Sequence, residues 1–300
     1  GSEMCIRDSY YGGIFLASDI VITSDSTTDL SPELRERYNV AISPLGITLG
    51  DKVYTDGVDI TPDDIYAHHA KTGELPKTAA TNVGDCLEFF KKFKDENKTV
   101  IHFTISSDMS STYNNACIAA EELGNVYVID TKNLSTGGGL LVVAAAEMLR
   151  NGLSAEEIVE KTKALVPCVD ASFVIDSLEY LYKGGRCSAL AMFGANLLKL
   201  KPCIQVKNGK MDVSKKYRGK YGDVLKQYIT EKVSDHSDII LDRVFITHAG
   251  CDPKLVKEVT ELAKSLAPFK EVFVTRAGCT VSSHCGANTL GILFIRKSPI

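Results

Sequence analysis

The residues best suited to chemistry lie in the stretch SSDMSST, at positions 106–112, where four serines and one threonine fall within seven positions. An apolar run, TVIHFTI, precedes them, and a predicted helix, TYNNACIAAEEL, follows. The start of a helix has unpaired N–H groups and a positive dipole end, so it favours an anion. A cap from Ser107 or Ser110 would need only one hydroxyl. We therefore interpret the stretch as an anion cradle that includes Ser110, with Ser107 and Ser111 as site-lining candidates and a simple cap as the alternative.

Two further loops carry side chains at places where a ligand could bind. In SDSTTDL (24–30), Asp25 ends a predicted strand and Ser26 follows it. Ligands of open α/β sheets lie beyond the carboxyl ends of the strands, which makes both residues site-lining candidates. In PKTAATN (76–82), Thr78 lies on a predicted loop. For both stretches, a loop with ordinary cap or turn chemistry is the alternative.

Two positions nearer the C-terminus could handle charge. His284 lies among small residues in GCTVSSHCGANTLG, which fits either a polar site histidine or a satisfied core histidine. No metal site is expected from Cys279, His284 and Cys285, because their spacing matches no standard zinc pattern. Arg186 follows a tight Gly-Gly turn and is suited to bidentate binding of a carboxylate or phosphate, with a solvated turn as the alternative.

Composition narrows the functional classes. The chain has 300 residues, of which 44% are apolar and 24% charged, with a formal net charge of −4, so nothing global favours nucleic acid or an anionic membrane. No apolar run approaches the ~18 residues of a membrane span, and we expect no integral membrane association. Nine cysteines without a CxxC pair are typical of a reduced, cytoplasmic protein.

The elements that must position these residues alternate between β-branched runs and helical periodicity, which indicates an α/β fold. Strands are predicted at DIVITSD, NVAISPLGITL, TVIHFTI, NVYVID, SFVID, PCIQV, MDVSK, RVFITHA, VFVTR and GILFIRK. Parallel strands are expected in the first half. A hairpin at Asn208-Gly209 predicts a mixed or antiparallel sheet in the second half. The nearly all-apolar helix near 139–149 should be buried between layers, and the glycines before it indicate close backbone packing.

These patterns place a domain boundary near residue 170. The prediction is an N-terminal α/β domain over 19–170 and a C-terminal α/β domain over 171–300. Residues 1–18 fit neither and are interpreted as a tag or a disordered extension.

Taken in order, several stretches resemble the DegV family. They are SDSTTDL, YTDGVDI, PKTAATN, SSDMSSTY, DTKNLSTGGG, LEYLYKGGR, LLKLKPCIQV and SSHCGANTLGILF, and they cover roughly residues 19–297. The resemblance implies a two-domain fold that binds a long-chain fatty acid between its domains, without a cofactor of its own. It also implies a non-enzymatic carrier subunit, which presents the acyl carboxylate to a separate ATP-dependent fatty acid kinase subunit.

Site residues carry over by position. The family threonine and serine that hold the carboxylate resemble Thr78 and Ser110, and the histidine of the same polar network resembles His284. Arg186 resembles the arginine near the entrance that the kinase must reach. Two departures affect this comparison: the loop reads T-A-A-T where the family often has T-S-Q-P, and Ser111 replaces a usual glycine.

Two other classes remain as alternatives. A serine hydrolase acting on acyl esters would use Ser110, His284 and Asp25, but the sequence lacks the G-x-S-x-G elbow. A nucleic-acid-binding protein would use residues 199–220, where eight Lys or Arg stand against one acidic residue. That region lacks a dense set of aromatic residues for base stacking, and it also fits a docking face for an acidic partner or a solvated hairpin.

Overall fold

A computed structural model describes residues 19–192 and 200–300. The prediction for residues 1–18 lies outside this described part. The strands are β1 (Ile20–Asp25), β2 (Val40–Ser43), β3 (Gly46–Leu49), β4 (Lys52–Thr55), β5 (Lys77–Ala79), β6 (Thr99–Thr104), β7 (Val126–Asp130), β8 (Val169–Val174), β9 (Leu200–Lys207), β10 (Lys210–Arg218), β11 (Arg243–Ala249), β12 (Glu271–Arg276) and β13 (Thr289–Ile295). The helices are α1 (Pro32–Tyr38), α2 (Pro62–Thr72), α3 (Val83–Lys94), α4 (Thr112–Leu123), α5 (Thr136–Arg150), α6 (Ala155–Leu165), α7 (Glu179–Gly184), α8 (Tyr221–Val233), α9 (Pro253–Leu266) and α10 (Cys279–Cys285).

Two main sheets carry the fold. The first has the order β2-β1-β6-β7, and all of its strands are parallel. The second has the order β10-β9-β8-β13-β11-β12 and is mixed, because only β11 and β12 run parallel. The α/β class, the parallel N-terminal sheet and the mixed C-terminal sheet are thus confirmed. The boundary near residue 170 stays a prediction; β8 of the second sheet begins at Val169.

The predicted hairpin is confirmed. Asn208 and Gly209 link β9 to antiparallel β10 with φ values of 50° and 81°, the left-handed conformations that a two-residue hairpin turn requires. The tip of this hairpin packs on the serine-rich loop of the N-terminal half, where Ser106 Oγ donates to the carbonyl of Gly209 at 2.7 Å. The turn of the second sheet therefore contacts the loop that follows β6 of the first sheet.

One predicted strand is wrong as a single element. NVAISPLGITL forms β2 in the parallel sheet and β3 in a separate three-stranded antiparallel sheet of order β4-β3-β5. Pro44 lies between the two strands and has no backbone N–H to continue a ladder. Thr78, predicted on a loop, lies in β5, which pairs with β3.

Helix α5 is buried between the layers, as predicted. Residues 136–146 are all buried, and the helix packs on β1 and β6 of the first sheet and on β8 and β13 of the second. The glycines allow this close approach: a Cβ on Gly139 would lie 2.9 Å from the carbonyl oxygen of Thr28. Helix α5 thus joins the two sheets through one continuous apolar core.

Candidate functional site

A cleft of about 200 Å³ lies where the small sheet, the serine-rich loop and the C-terminal half meet. Its polar side chains come from four different elements, and the rest of its wall is largely apolar. The lining residues are Leu45, Thr78, Ala79, Ala80, Ile105, Met109, Ser110, Ser111, Leu134, Phe173, Leu181, Arg186, Met211, Thr280, Val281, His284 and Cys285. The cleft can therefore receive a ligand with one polar end and one apolar end.

Thr78 and His284 form the polar contact on one side of the cleft. Strand β5 directs Thr78 Oγ1 to within 2.8 Å of Nε2 of His284, which lies in the last turn of α10. Burial, with a smaller contribution from the nearby charge of Arg186, lowers the pKa of His284 to about 4. The imidazole is therefore neutral near pH 7. Its other nitrogen, Nδ1, is buried and has no hydrogen-bond partner.

The serine-rich loop forms the opposite polar wall. Ser110 Oγ lies 2.9 Å from Oγ1 of Thr112 and accepts a hydrogen bond from the Thr112 N–H at 3.2 Å. Ser110 thus caps the start of α4 and also lines the cleft, so the two interpretations of this stretch are compatible. Ser111 is exposed and makes no side-chain cap hydrogen bond to α4. An anion here would lie beside the N-terminus of a 12-residue helix.

A smaller cavity of about 30 Å³ continues the cleft into the apolar interior. The two cavities share Leu134, Phe173, Val281 and Cys285. The inner cavity lies between the residues that precede α5 and the second sheet, and most of its walls come from small or apolar side chains such as Ala171, Ala249 and Leu293. An apolar chain that enters from the polar mouth would therefore be directed toward the middle of the molecule.

Two buried aspartate side chains, which sequence reasoning did not assign to the site, hold the helix that carries His284. Asp56 accepts hydrogen bonds from the backbone N–H groups of Cys279 (2.8 Å) and Thr280 (3.1 Å), and from the Thr280 hydroxyl (2.7 Å). Asp29 accepts from the N–H of Gly278 at 2.8 Å. These contacts satisfy the first N–H groups of α10 and fix its position against the N-terminal half.

Burial is the main cause of the shifted pKa values of two buried aspartates in this region, Asp29 and Asp25. It raises the pKa of Asp29 to about 8, although hydrogen bonds from Ser135 and Gly278 lower it. It raises the pKa of Asp25 to about 6, against hydrogen bonds from Thr27 and Ile105. The available sequence signal was YTDGVDI, in which Asp56 precedes Gly57, a glycine with a φ of 71°. That signal indicates a turn, but it does not show that Asp56 contacts the start of α10, which is far away in the sequence.

Comparisons with known proteins agree with this architecture. A family model described as uncharacterised protein of the DegV family matches residues 19–297. This chain belongs to the DegV family. A DegV domain-containing protein of Clostridium perfringens is 34% identical over 283 residues, covering 93% of this chain and 99% of that protein.

Solved DegV structures share the fold along nearly the whole chain. A DegV family protein from Thermus thermophilus, solved in a study of fatty acid binding, is 28% identical with a TM-score of 0.83, covering 92% of this chain and 99% of that one. A stearic acid-binding protein from Eubacterium ventriosum is 30% identical with a TM-score of 0.81, covering 92% and 98%. Each statement of binding concerns that protein.

The structure brings together five of the predicted site residues of this DegV-family chain: Thr78, Ser110, Ser111, Arg186 and His284 all line the cleft. Three others do not line it. The carboxylate of Asp25 is used by Thr27 and the Ile105 N–H, and Ser26 Oγ donates to Asp56 at 2.9 Å. Ser107 Oγ accepts from Lys132 at 2.8 Å.

The hydrolase arrangement is not assembled. His284 contacts Thr78 through Nε2, while Nδ1 has no partner, so no carboxylate orients the ring. Asp25 is occupied by the groups that form the turn after β1. The sequence expectation of a Ser110/His284/Asp25 triad therefore has no geometric support.

The basic region 199–220 is partly neutralised by ion pairs, namely Lys201 with Asp176, Lys210 with Asp108 and Lys215 with Glu231.

In residues 19–192 and 200–300, no helix is both long and apolar enough to cross a membrane. The same residues hold no group of three or more His, Cys, Asp or Glu side chains placed to bind a metal ion.

Proposed function

We propose that this chain binds a long-chain fatty acid, with its carboxylate at the polar mouth of the cleft and its acyl chain in the apolar interior. The observation that carries the proposal is the meeting of Thr78, Ser110 and His284 at the mouth of a cleft whose inner end is apolar. The relatives from Thermus thermophilus and Eubacterium ventriosum support it, because both are described as fatty acid-binding proteins of the same fold.

The hydroxyls of Thr78 and Ser110 would hold the two carboxylate oxygens, and neutral His284 would complete the polar network. An unpaired carboxylate is costly to remove from water, so these donors determine which end of the ligand lies at the mouth. The acyl chain supplies most of the affinity. A C16 chain buries about 15 methylene-type groups at ~0.8 kcal/mol each, or ~12 kcal/mol before the costs of association.

The proposed role is that of a carrier, in two domains, for a separate ATP-dependent kinase subunit. In the reaction, a carboxylate oxygen attacks the γ-phosphorus of ATP and the bond to the ADP oxygen breaks, which yields acyl phosphate and ADP. The carrier contributes the bound and oriented carboxylate. We place the protein in the cytoplasm, consistent with eight free cysteines among the described residues.

Extraction of the purified protein tests fatty acid binding directly. Native mass spectrometry should show one acyl ligand per chain, and organic extraction should release it for identification. Added palmitate should raise the melting temperature of delipidated protein, because a ligand that binds only the folded state stabilises it. No acyl lipid in the extract, together with no stabilisation by palmitate or oleate, would contradict the proposal.

Arg186 is the proposed docking residue for the kinase. Its side chain is exposed at the mouth, where Nη1 donates to the carbonyl of Gly184 at 2.8 Å. Arg186→Glu should leave palmitate affinity nearly unchanged and slow association with a DegV-type kinase subunit, since rim charges act mainly on association rate. The measurement is surface plasmon resonance at two salt concentrations. Loss of palmitate binding in the variant would instead place Arg186 in the carboxylate site.

A further inference from the structure

Another cavity, of about 230 Å³, lies on the outer side of His284. It is formed by the end of α2, by β5 and by α7, and its lining includes Lys77, Lys183, Tyr180 and Gly184. His284 is the residue that this outer cavity shares with the ligand cleft. One imidazole ring therefore stands between two separate spaces.

The two ring nitrogens face different sides. Nε2 lies 2.8 Å from Thr78 Oγ1, on the side of the ligand cleft. A Cβ on Gly184 would come within 2.5 Å of Nδ1, so Nδ1 faces Gly184, which lines only the outer cavity of the two. Nδ1 is buried and lacks a hydrogen-bond partner. A buried polar nitrogen without a partner is costly, and a ligand in the outer cavity could supply the missing one.

The charge around the outer cavity favours an anion. Lys77 is exposed and, within the described part of the chain, makes no ion pair. Lys183 is paired with Glu179 at 2.7 Å, but both side chains are largely exposed, at 54% and 41%. Such an exposed pair is weak, so Lys183 is available to an anion of higher charge.

We propose that the outer cavity binds a phosphoryl oxyanion through Lys77, Lys183 and Nδ1 of His284, and that its occupancy is coupled to carboxylate binding in the cleft through the His284 ring. The coupling rests on the proposed fatty acid function; the anion site itself does not. Lysine ammonium groups bind phosphate as point charges, and charge-assisted hydrogen bonds are about twice as strong as neutral ones.

The coupling follows from the chemistry of imidazole. A neutral ring has one N–H, whereas a protonated ring donates from both nitrogens. An anion at Nδ1 favours the protonated form, and protonated His284 can donate through Nε2 to a carboxylate or to Thr78. Because coupling between two sites is reciprocal, a carboxylate in the cleft must strengthen anion binding by the same factor.

The charge of Arg186 opposes the protonation of His284. Other charged or titratable groups lie on the elements packed around this residue. From the elements around it, the groups are Lys77 of β5, His69 and Tyr66 of α2, Glu179, Tyr180 and Lys183 of α7, and Cys285 of its own helix. Glu179 is the acidic residue among these groups. Removal of its negative charge should therefore strengthen the binding of an anion in the outer cavity.

The first experiment titrates inorganic phosphate into delipidated protein at constant ionic strength, with the ring resonances of His284 followed by NMR. We expect saturable binding that moves these resonances. Replacing Lys77→Gln and Lys183→Gln together should weaken it by about tenfold or more, since two charge-assisted contacts are lost. Lys91→Gln with Lys92→Gln, an equal charge change on distant α3, should have no such effect. Glu179→Gln should tighten binding.

The second experiment measures palmitate binding with and without sulfate, at pH 6 and at pH 8. Sulfate keeps its charge over this range, so any pH dependence of the coupling reports on the protein. Palmitate should bind up to about tenfold more tightly with sulfate at pH 6, which requires the bound anion to raise the pKa of His284 from about 4 to about 7, and should gain less than about twofold at pH 8. The coupling should disappear in the Lys77/Lys183 double variant.

Hexadecyl phosphate separates two sources of the oxyanion. If the phosphoryl group of an acyl ligand occupies the outer cavity, the Lys77/Lys183 double variant should bind hexadecyl phosphate more weakly than wild type and bind palmitate equally well. If only a free anion binds there, the double variant should lose affinity for inorganic phosphate alone. The proposal is overturned if phosphate does not shift the His284 resonances saturably, or if the α3 control weakens binding equally. Failure of palmitate to bind in any condition would contradict the fatty acid function and leave the phosphate result intact.

Discussion

At the residue scale, the two hydroxyls of the mouth are already oriented before a ligand arrives. Thr78 is fixed by its contact with His284, and Ser110 by its contact with Thr112. Both side chains come from ordered backbone, one from β5 and one from the start of α4. Less conformational freedom is then lost on binding, so each hydrogen bond can contribute more of its strength to affinity.

The first prediction at this scale concerns Thr78→Val and Ser110→Ala. Each change should weaken palmitate binding by about 10- to 150-fold, because a hydrogen bond to a charged group is worth ~1.5–3 kcal/mol. The apolar contacts remain, so binding should weaken without vanishing. The losses in the double variant should not add, because both hydroxyls serve one anion. The measurement is titration with palmitate and with its methyl ester.

Wild-type protein should prefer the acid strongly over the ester, and the double variant should lose most of that preference. Ser107→Ala is the matched control, since Ser107 belongs to the same loop but contacts Lys132 outside the cleft. An unchanged preference for the acid in the double variant would place the carboxylate elsewhere. In that case the serine-rich loop would be only a helix cap.

At the element scale, α10 is positioned mainly by a residue far away in the sequence. Asp56, which follows β4, holds the first N–H groups of α10 across more than 220 positions of chain. Each of its carboxylate oxygens accepts at least one hydrogen bond, and an amide has only one oxygen to accept with. The position of His284 therefore depends on both oxygens of Asp56.

The prediction for α10 concerns Asp56→Asn. It should lower the preference for palmitate over its methyl ester by about tenfold, because a displaced His284 no longer orients Thr78, while ester affinity stays near the wild-type value. Asp25→Asn is the control: Asp25 is equally buried, but its hydrogen bonds go to Thr27 and Ile105. Both variants should lose stability, and only Asp56→Asn should lose the preference. Equal loss of preference in both would mean a general structural effect.

The elements that sequence reasoning predicted are those with local signals. Each of the helices α1, α2, α6 and α9 is preceded by an N-cap residue whose side chain accepts a backbone N–H hydrogen bond, and such a cap is a signal that is local in the sequence; the caps are Ser31, Thr61, Ser154 and Asp252. Strands β4 and β5 were missed because each has four residues or fewer and is stabilised by pairing with β3, from a different part of the chain. The contact between Thr78 and His284 spans 206 positions, and no local pattern encodes it.

At the scale of the whole molecule, the two halves predicted from the sequence share one apolar core. A single cluster contains Ile22 and Phe103 from the first sheet, Leu141 from α5, and Phe245 and Leu293 from the second sheet. Asp29 adds a polar link, because it accepts from Ser135 at the start of α5 and from Gly278 before α10. Separation of the two sheets would expose this core, so we expect the described part of the chain to unfold as one cooperative unit.

The last prediction concerns the pH dependence of that unfolding. Burial raises the pKa of Asp29 to about 8 in the folded protein, against an ordinary value of 3.8. Between these values the folded protein holds a proton that the unfolded chain has released, so the free energy of unfolding falls as pH rises, by up to ~1.4 kcal/mol per pH unit. The fall ends near pH 8, where the folded protein releases the proton as well. Between pH 7 and 8 the contribution should be about 1 kcal/mol.

This window separates Asp29 from the other shifted groups. Burial lowers the pKa of His102 and His284 below the ordinary 6.5, so they affect stability mainly below pH 7 and with the opposite sign. Urea unfolding at pH 7 and pH 8 should show the fall in wild type and no fall in Asp29→Asn. Asp108→Asn is the control, because the Lys132 hydrogen bond lowers the pKa of exposed Asp108 and keeps it ionised throughout the window. If the free energy of unfolding falls as much in Asp29→Asn as in wild type, Asp29 is already ionised at pH 7. Another titratable group then causes the fall.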